Sequence, residues 1–376
     1  MLTVEDQRTA AAPAGTAPPD PGRATLQTLD PLESPDWDDR VRSCPDVTFA
    51  HSAAWAAVLH DTYRLRPLYI AATDGQQLAA LLPVIETGTW LTGARGVSLP
   101  FTDYCPFLVS IPGRRIPGTE EALLARLWAW VLDFGRGRGW RTIECRCGRP
   151  PAPSAPASLT FHRHTLDLRA GPETLFARVD GAVRRAIRKA RQQSVAVESS
   201  ATPEAVAAYY RLHCETRRRH GLPPQPFRFF EAIRRHCLES NAGRLFIAHH
   251  HARPVAGAIF LHFGTRVAYK FGASDPAAAE LRANNLVMWE AIEGYSRQGF
   301  TTLDFGRTSM SQEGLRRYKL GWGTTETALD YFKYDLRRDR FVTDRDRAHG
   351  WYNRLFRCLP VPVLKGIGRA IYPHLA

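Results

Sequence analysis

The sequence predicts an α/β (α+β) fold of two related domains in tandem, each a mixed twisted sheet flanked by helices. Two observations lead to it. Residues 67–84, PLYIAATDGQQLAALLPV, and residues 244–261, RLFIAHHHARPVAGAIFL, share one pattern of apolar strand, polar turn and apolar strand, with Ile70 matching Ile247 and Ala79 matching Ala256. Farther along, LWAWVLDFGRGRGWRTIEC (127–145) and VMWEAIEGYSRQGFTTLDF (287–305) each carry a helix pattern that stops at a glycine (Gly139, Gly299). An aromatic follows (Trp140, Phe300), then Thr-Ile-Glu or Thr-Leu-Asp. A hairpin followed later by helix and strand, used twice in the same order, reads as a duplicated unit, and the cleft between two such units is a natural ligand site. A chain of 376 residues is also long for one core.

The elements follow in order. Residues 1–25, rich in Ala, Pro, Gly and Thr, are expected to be disordered. The first domain spans 26–150, with a helix at 52–63, strands at 67–73 and 78–86, the loop SLPFTDYCPF (98–107), a helix at 119–136 and a strand at 140–146. The proline-rich stretch RPPAPSAP (149–156) marks a linker, placed at 151–159. The second domain, 160–340, opens with the strand 160–168 and a helix 173–191. Helices at 203–219 and 226–239 flank the breaker GLPPQP, and strands follow at 244–250, 254–263 and 266–273. The helix 285–298, the strand 301–305, a short helix at 312–320 and the strand 326–335 complete it. Residues 341–376 form a helical tail of two amphipathic pieces split at Leu359-Pro360. Such a tail either packs on its own domain or touches an anionic membrane surface.

Fifty basic against 37 acidic residues give a net charge of +13. That balance suits a polyanionic partner such as RNA, a nucleotide-linked substrate or an anionic membrane; an arginine-rich composition from a high-GC genome gives it equally. Seven dispersed cysteines, with neither disulfide-like nor zinc-like spacing, fit a reducing cytoplasm, and the inner face of the membrane is the alternative location. No secretory leader pattern and no apolar run of roughly 18 residues are present.

The helix VRRAIRKARQQ (183–193) is the strongest basic element. Arg184 and Arg188 share one face, as do Arg185 and Lys189, while Val183, Ala186, Ile187 and Ala190 supply the buried side. The outward cations contact phosphate or RNA, or simply solvate the helix. Asn284 or Asn285 is expected to cap the helix after strand 266–273, and a helix N-terminus beside Arg282 offers N–H groups to a pyrophosphate or acyl carbonyl. Asp304 falls at a strand end with Arg307 in the turn after it, where it would serve as base, as acceptor for an amine, or as an ion-pair partner of Arg307. Asp103 and Tyr104 sit in a loop between Pro100 and Pro106, a composition that suits an amine or peptide acceptor or a plain packing turn. The adjacent His249, His250 and His251 diverge on a turn, and His162 and His164 share a strand face without an apparent third ligand, so no metal site is expected. Without a GxSxG elbow, an HExxH pair or a P-loop, hydrolase, zinc-protease and NTPase readings have no local support.

At four segments the sequence resembles the FemAB-related branch of the GNAT superfamily: VRRAIRKARQQSVAVE (183–198), YYRLHCETRRRHGLPPQPFRFFEAI (209–233), GASDPAAAELRANNLVMWEAI (272–292) and LDFGRTSMSQEGLRRYKLGWG (303–323). SLPFTDY (98–104) adds a weaker match. The resemblance implies two tandem GNAT-like domains and acyl or aminoacyl transfer to an amine of a cell-envelope, polysaccharide or peptide-like acceptor. It implies no bound cofactor; the co-substrate is acyl-CoA or aminoacyl-tRNA. The coiled-coil insertion of the cross-bridge enzymes has no counterpart, and ELRANN stands where the family's Arg/Gln-x-x-Gly-x-Gly/Ala loop is expected, so the donor stays open. On this reading the N–H groups near Arg282, Asn284, Asn285 and Leu286 hold the donor, and Asp304 or Asp103 orients or deprotonates the amine. Arg184, Arg185, Arg188, Lys189, Tyr104, Tyr269, Lys270, Arg307 and Lys319 bind phosphates or acceptor. A non-catalytic polyanion-binding protein that keeps the double shell is the competing reading. The oligomeric state is not read from the sequence.

Overall fold

The computed structural model describes residues 22–89, 93–110, 118–344, 346 and 352–374. The expectation of disorder for 1–25 lies outside the described residues up to position 21; Ala24 is buried and Thr25 opens a strand.

In the first half, β1 is Thr25–Leu29, α1 Trp37–Arg42 and α2 Ala53–Tyr63. The Ser52 hydroxyl starts α2 by accepting the Trp55 N–H at 3.2 Å. β2 (Tyr69–Asp74) and β3 (Gln77–Leu82) form the expected hairpin, turning at Gly75. β4 (Ile85–Thr89), β5 (Gly93–Val97) and β6 (Leu108–Val109) follow, then α3 (Thr119–Gly137) and β7 (Thr142–Cys145).

The second half opens with β8 (Leu159–Asp167), α4 (Pro172–Arg178) and α5 (Gly181–Gln192). The single helix expected at 173–191 is therefore two. Val179 is extended, and the Asp180 carboxylate restarts the helix by accepting the Ala182 N–H at 2.6 Å. β9 (Ala196–Ser199), α6 (Pro203–Arg219) and α7 (Phe227–Ile233) come next, the last widening into a π-helical turn through Leu238. β10 (Gly243–His250), β11 (Arg253–Phe263) and β12 (Arg266–Ser274) form a meander, followed by α8 (Ala283–Arg297) and β13 (Thr302–Ser309). α9 (Glu313–Leu320), β14 (Thr325–Asp335) and β15 (Arg340–Phe341) complete the half; the tail supplies α10 (Tyr352–Cys358) and α11 (Val361–Ile371).

The duplication is visible in the topology. Each half contains a strand–helix–strand crossover, β5–α3–β7 and β12–α8–β13, and in both the two strands pair in parallel. The strands of the first half divide. β1, β2, β3 and β6 make a four-stranded antiparallel sheet, while β4, β5 and β7 join the second half in an eleven-stranded sheet ordered β4-β5-β7-β14-β8-β13-β12-β11-β10-β9, with β15 on β14. One strand connects the halves: Thr325–Tyr331 of β14 pairs with β8, and Phe332–Asp335 pairs with β7.

Burial follows the same plan. One core lies under α3 in the first half and one under α8 in the second, and a third lies between the halves. There Trp55 and Tyr63 of α2 meet Phe229 of α7 at ring separations of 6.0 and 5.8 Å. Such edge-on or tilted aromatic pairs contribute about 0.5–1.5 kcal/mol each beyond the area they bury. Among the described residues no helix is long and apolar enough to cross a membrane.

Candidate active site

The parallel ladder between β12 and β13 is short. It pairs Arg266 with Thr302, Val267 with Leu303 and Ala268 with Asp304, and stops there although β12 runs on to Ser274 and β13 to Ser309. Beyond this point β12 and β13 splay apart, and on its other side β13 breaks register with β8 at Asp304 and resumes at Arg307. A cleft of about 520 Å³, its open mouth included, lies over this splay. Its floor is β12 and β13; its roof is Thr48, Phe49, Asp103 and Tyr104 from the first half. Past Ala268 the β13-facing backbone of Tyr269 and Lys270 has no strand beside it.

The roof is held from below. The loop carrying Asp103 bends through Leu99 and Phe101, both at positive φ (48° and 60°). Arg146, on the residue after β7, donates to the Thr102 carbonyl at 3.0 Å and pairs with Glu144 at 2.8 Å. Tyr331 of β14 donates its O–H to the Asp103 carbonyl at 2.5 Å. The Asp103 carboxylate reaches down to Gly306, where a Cβ built on that glycine would lie 2.5 Å from Asp103 Oδ2. With φ at +73°, this position takes glycine for two reasons: the backbone is left-handed, and the carboxylate occupies the side-chain space.

Four cations surround Asp103. Burial alone would raise its carboxyl, but Lys270, Arg307, Lys319 and Arg146 outweigh that and hold it below the ordinary carboxylate range. Arg307 lies 3.7 Å away and stacks on Phe161 (4.4 Å) and Tyr331 (5.2 Å). Lys319, 3% exposed, donates to the Gly306 and Arg307 carbonyls at 2.8 and 2.9 Å and so pins the turn. Burial lowers its ammonium to about 8 against the pull of Asp103 and Asp304. Lys270 is lowered by burial too, with Asp103 opposing.

Asp304 is engaged on both oxygens. Arg163 Nε donates to Oδ2 at 2.7 Å, and the Gly306 N–H donates to Oδ1 at 2.8 Å. Its ion-pair partner is thus Arg163; Arg307 belongs to Asp103. Arg163 also stacks on Tyr104, its guanidinium 3.7 Å from the ring centroid. This stack is the wall between the main cleft and a second one, bounded by Asp46, Gly148, Arg149 and Leu329. On the opposite face of β8, His162 and His164 both meet Glu326 of β14, at 3.3 and 2.9 Å, and Arg316 of α9 grips the same carboxylate at 2.8 and 2.9 Å. No group of three or more His, Cys, Asp and Glu placed to hold a metal occurs among the described residues.

Of the residues singled out in the sequence, Asp103, Tyr104, Tyr269, Lys270 and Asp304 line the cleft, with Arg307 and Lys319 at its edge. The helix-start residues do not line it. α8 begins at Ala283, one residue before the expected Asn cap. Its N-cap is Arg282 in the left-handed region, without a side-chain cap, so Asn284 and Asn285 lie in the first turn and Leu286 is buried. The C-terminal end of β12 leads into this turn, on the side where the strands splay. Arg184, Arg185, Arg188 and Lys189 are also outside the lining. Arg184 donates to the Ala177 carbonyl at 3.3 Å, while Arg185, Arg188 and Lys189 are exposed. Sequence reasoning missed Arg163, Arg266 and Arg146, and took Gly306 only as part of the turn with Arg307. Only Arg163 carried a signal, since strand alternation sets it opposite His162 and His164.

Residues 177–333, which include the splay, α8 and the cations beneath it, match the acetyltransferase (GNAT) domain family. This segment, rather less than half of the chain, is similar to that domain family. Over 84% of its length the chain has the fold of FemX, covering 98% of that structure, at 14% identity and a TM-score of 0.67. It is also similar to a conserved protein of unknown function from Bacteroides thetaiotaomicron (12% identity, 82% and 98% covered, TM-score 0.54). A third similar structure is L-PGS from Bacillus licheniformis (11% identity, 84% and 94% covered, TM-score 0.52). At these identities the likeness is one of fold. No curated protein matches the sequence. The segment similar to the GNAT family contains the splay, and the likeness to FemX agrees with the fold that the sequence resemblance led one to expect.

Proposed function

We propose that the protein is an N-acyltransferase that moves an acyl or aminoacyl group from acyl-CoA or aminoacyl-tRNA to an amine of a cell-envelope, polysaccharide or peptide-like acceptor. The observation that carries this reading is the splay of β12 from β13 with a carboxylate from the other half, Asp103, lodged in it among four cations. The donor carbonyl lies at the splay, where the unpaired backbone of Tyr269 and Lys270 faces the developing oxyanion. The acceptor amine lies under Asp103. As the nitrogen attacks the carbonyl carbon, the new C–N bond forms, the C–S or C–O bond to the donor breaks, and the amine proton passes to the Asp103 carboxylate. The leaving thiolate or alkoxide then takes up that proton, and Asp103 returns to its carboxylate form. Asp304 is an anchor, since Arg163 and the Gly306 N–H occupy both its oxygens. Lys270, Arg307 and Lys319 make the cleft attractive to an acceptor that carries its own negative charge. The first turn of α8, with Arg282 and Asn284, holds donor phosphates.

The testing experiment is calorimetric titration of CoA, acetyl-CoA and tRNA at near-physiological salt. Micromolar CoA binding that is lost in Arg282→Ala/Asn284→Ala assigns the donor. Binding of tRNA alone selects the aminoacyl route. Once a donor is in hand, Asp103→Asn is expected to slow turnover roughly 10²–10⁴-fold. Unchanged turnover in Asp103→Asn would overturn the role given to this carboxylate. The exposed Arg185, Arg188 and Lys189, with ELRANN in place of the family loop, favour a second reading as a non-catalytic polyanion binder. Polyanion binding without turnover of either donor selects it.

A further inference from the structure

The tail does two things at once. One face is fixed to the protein. Asn353 donates to the Gly221 carbonyl at 2.9 Å, Leu364 and Gly368 are buried, and Gly368 lies so close to Pro224 that a Cβ would sit 2.0 Å from its carbonyl oxygen. The Tyr372 O–H donates to the Pro223 carbonyl at 3.1 Å, its oxygen accepts from Arg217 at 2.8 Å, and its ring packs beside Phe101 at 5.9 Å. α10 and α11 are therefore part of the folded body.

The side turned to solvent is rich in apolar residues. Eight large apolar side chains are exposed among the described residues, and four of them lie on α10, α11 and the start of α7: Phe227, Tyr352, Leu355 (52% exposed) and Val363 (47%). Phe227 packs on Tyr210 (5.0 Å), whose ring also carries the Lys365 ammonium at 5.1 Å, so the start of α7 and α11 share this surface. Arg354, Arg357 and Arg369 are exposed between the apolar positions. Residues 347–376 hold five Arg and Lys and no Asp or Glu. The C-terminal end of α6, against which α10 sits, adds Arg218 and Arg219; its Glu215 is paired with Arg218 at 2.9 Å.

Cations alone would suit any polyanion. Apolar side chains set among them, on a rigid face with almost no acids, suit a surface that is anionic outside and apolar beneath. We propose that α10, α11 and the start of α7 dock the protein on an anionic lipid bilayer, with Leu355 and Val363 entering the acyl boundary and Arg354, Arg357 and Arg369 meeting the headgroups. This surface is distinct from the cleft, so the proposal stands or falls independently of the acyltransferase reading.

The test is co-sedimentation of the full chain with phosphatidylcholine vesicles with and without phosphatidylglycerol, beside a titration of a short single-stranded RNA. The protein is expected to bind the anionic vesicles and not the neutral ones. Leu355→Glu/Val363→Glu should weaken vesicle binding roughly ten-fold or more while leaving the melting temperature and RNA affinity in place. Leu355→Ala/Val363→Ala, which adds no charge, should give a smaller loss in the same direction. Vesicle binding that both variants retain, binding that salt abolishes but apolar substitution does not touch, or binding of RNA in place of vesicles would each overturn the proposal.

Discussion

Asp103 and Gly306 meet from opposite halves of the chain, and the meeting depends on the absence of one methyl group. Gly306→Ala would force a left-handed alanine, at a cost of about 1–2 kcal/mol, and press its Cβ into the Asp103 carboxylate. The expected result is a lower melting temperature and a loss of turnover comparable to that of Asp103→Asn, read by thermal denaturation and steady-state kinetics. Glu326 offers a pH test. The Arg316 hydrogen bonds first, then His162 and His164, hold its carboxyl at about 2 against an ordinary 4.5. A carboxyl depressed on folding stabilises fully above the unfolded value and loses that contribution as pH falls through the folded one. Glu326→Gln should therefore melt below the wild type at pH 7, and the gap should close between pH 4.5 and 2. A gap that stays constant over this range would show that the carboxylate charge is not what matters. Neither cluster could be read from the sequence. Arg163 and Asp304 are 141 positions apart, and nothing local tells Asp304 to choose Arg163 over its neighbour Arg307.

At the scale of elements, the sequence was legible wherever one period ran unbroken. α6, α3, the β10–β11 hairpin and the glycine-stopped α8 stand close to where their apolar spacing puts them. The β4–β5 hairpin escaped notice because GARGV has too few apolar side chains to alternate visibly. The α4–α5 break escaped it because Val179-Asp180 continues a helical pattern, and only the cap geometry stops it. That geometry can be tested. Asp180→Ala removes the acceptor for the Ala182 N–H and should cost about 1 kcal/mol, seen as a shift in the denaturant midpoint with unchanged slope. No shift would mean that the packing of Ile187 and Ala190 alone sets where α5 begins.

Over the whole molecule, the duplicated pattern in the sequence announced the two-part architecture, but not how the parts are joined. Strand pairing between β14 and both β7 and β8 is a choice among distant partners that periodicity cannot make. With backbone hydrogen bonds and an aromatic core spanning the halves, heat should unfold residues 26–150 and 160–340 together. Scanning calorimetry is expected to show one transition, with calorimetric and van't Hoff enthalpies in agreement. Two resolved transitions would mean that the shared strand couples the halves only weakly. The shared strand also limits how the molecule can be taken apart. One strand is divided between the two halves, so removing either half would leave the other with a torn sheet and an uncovered edge.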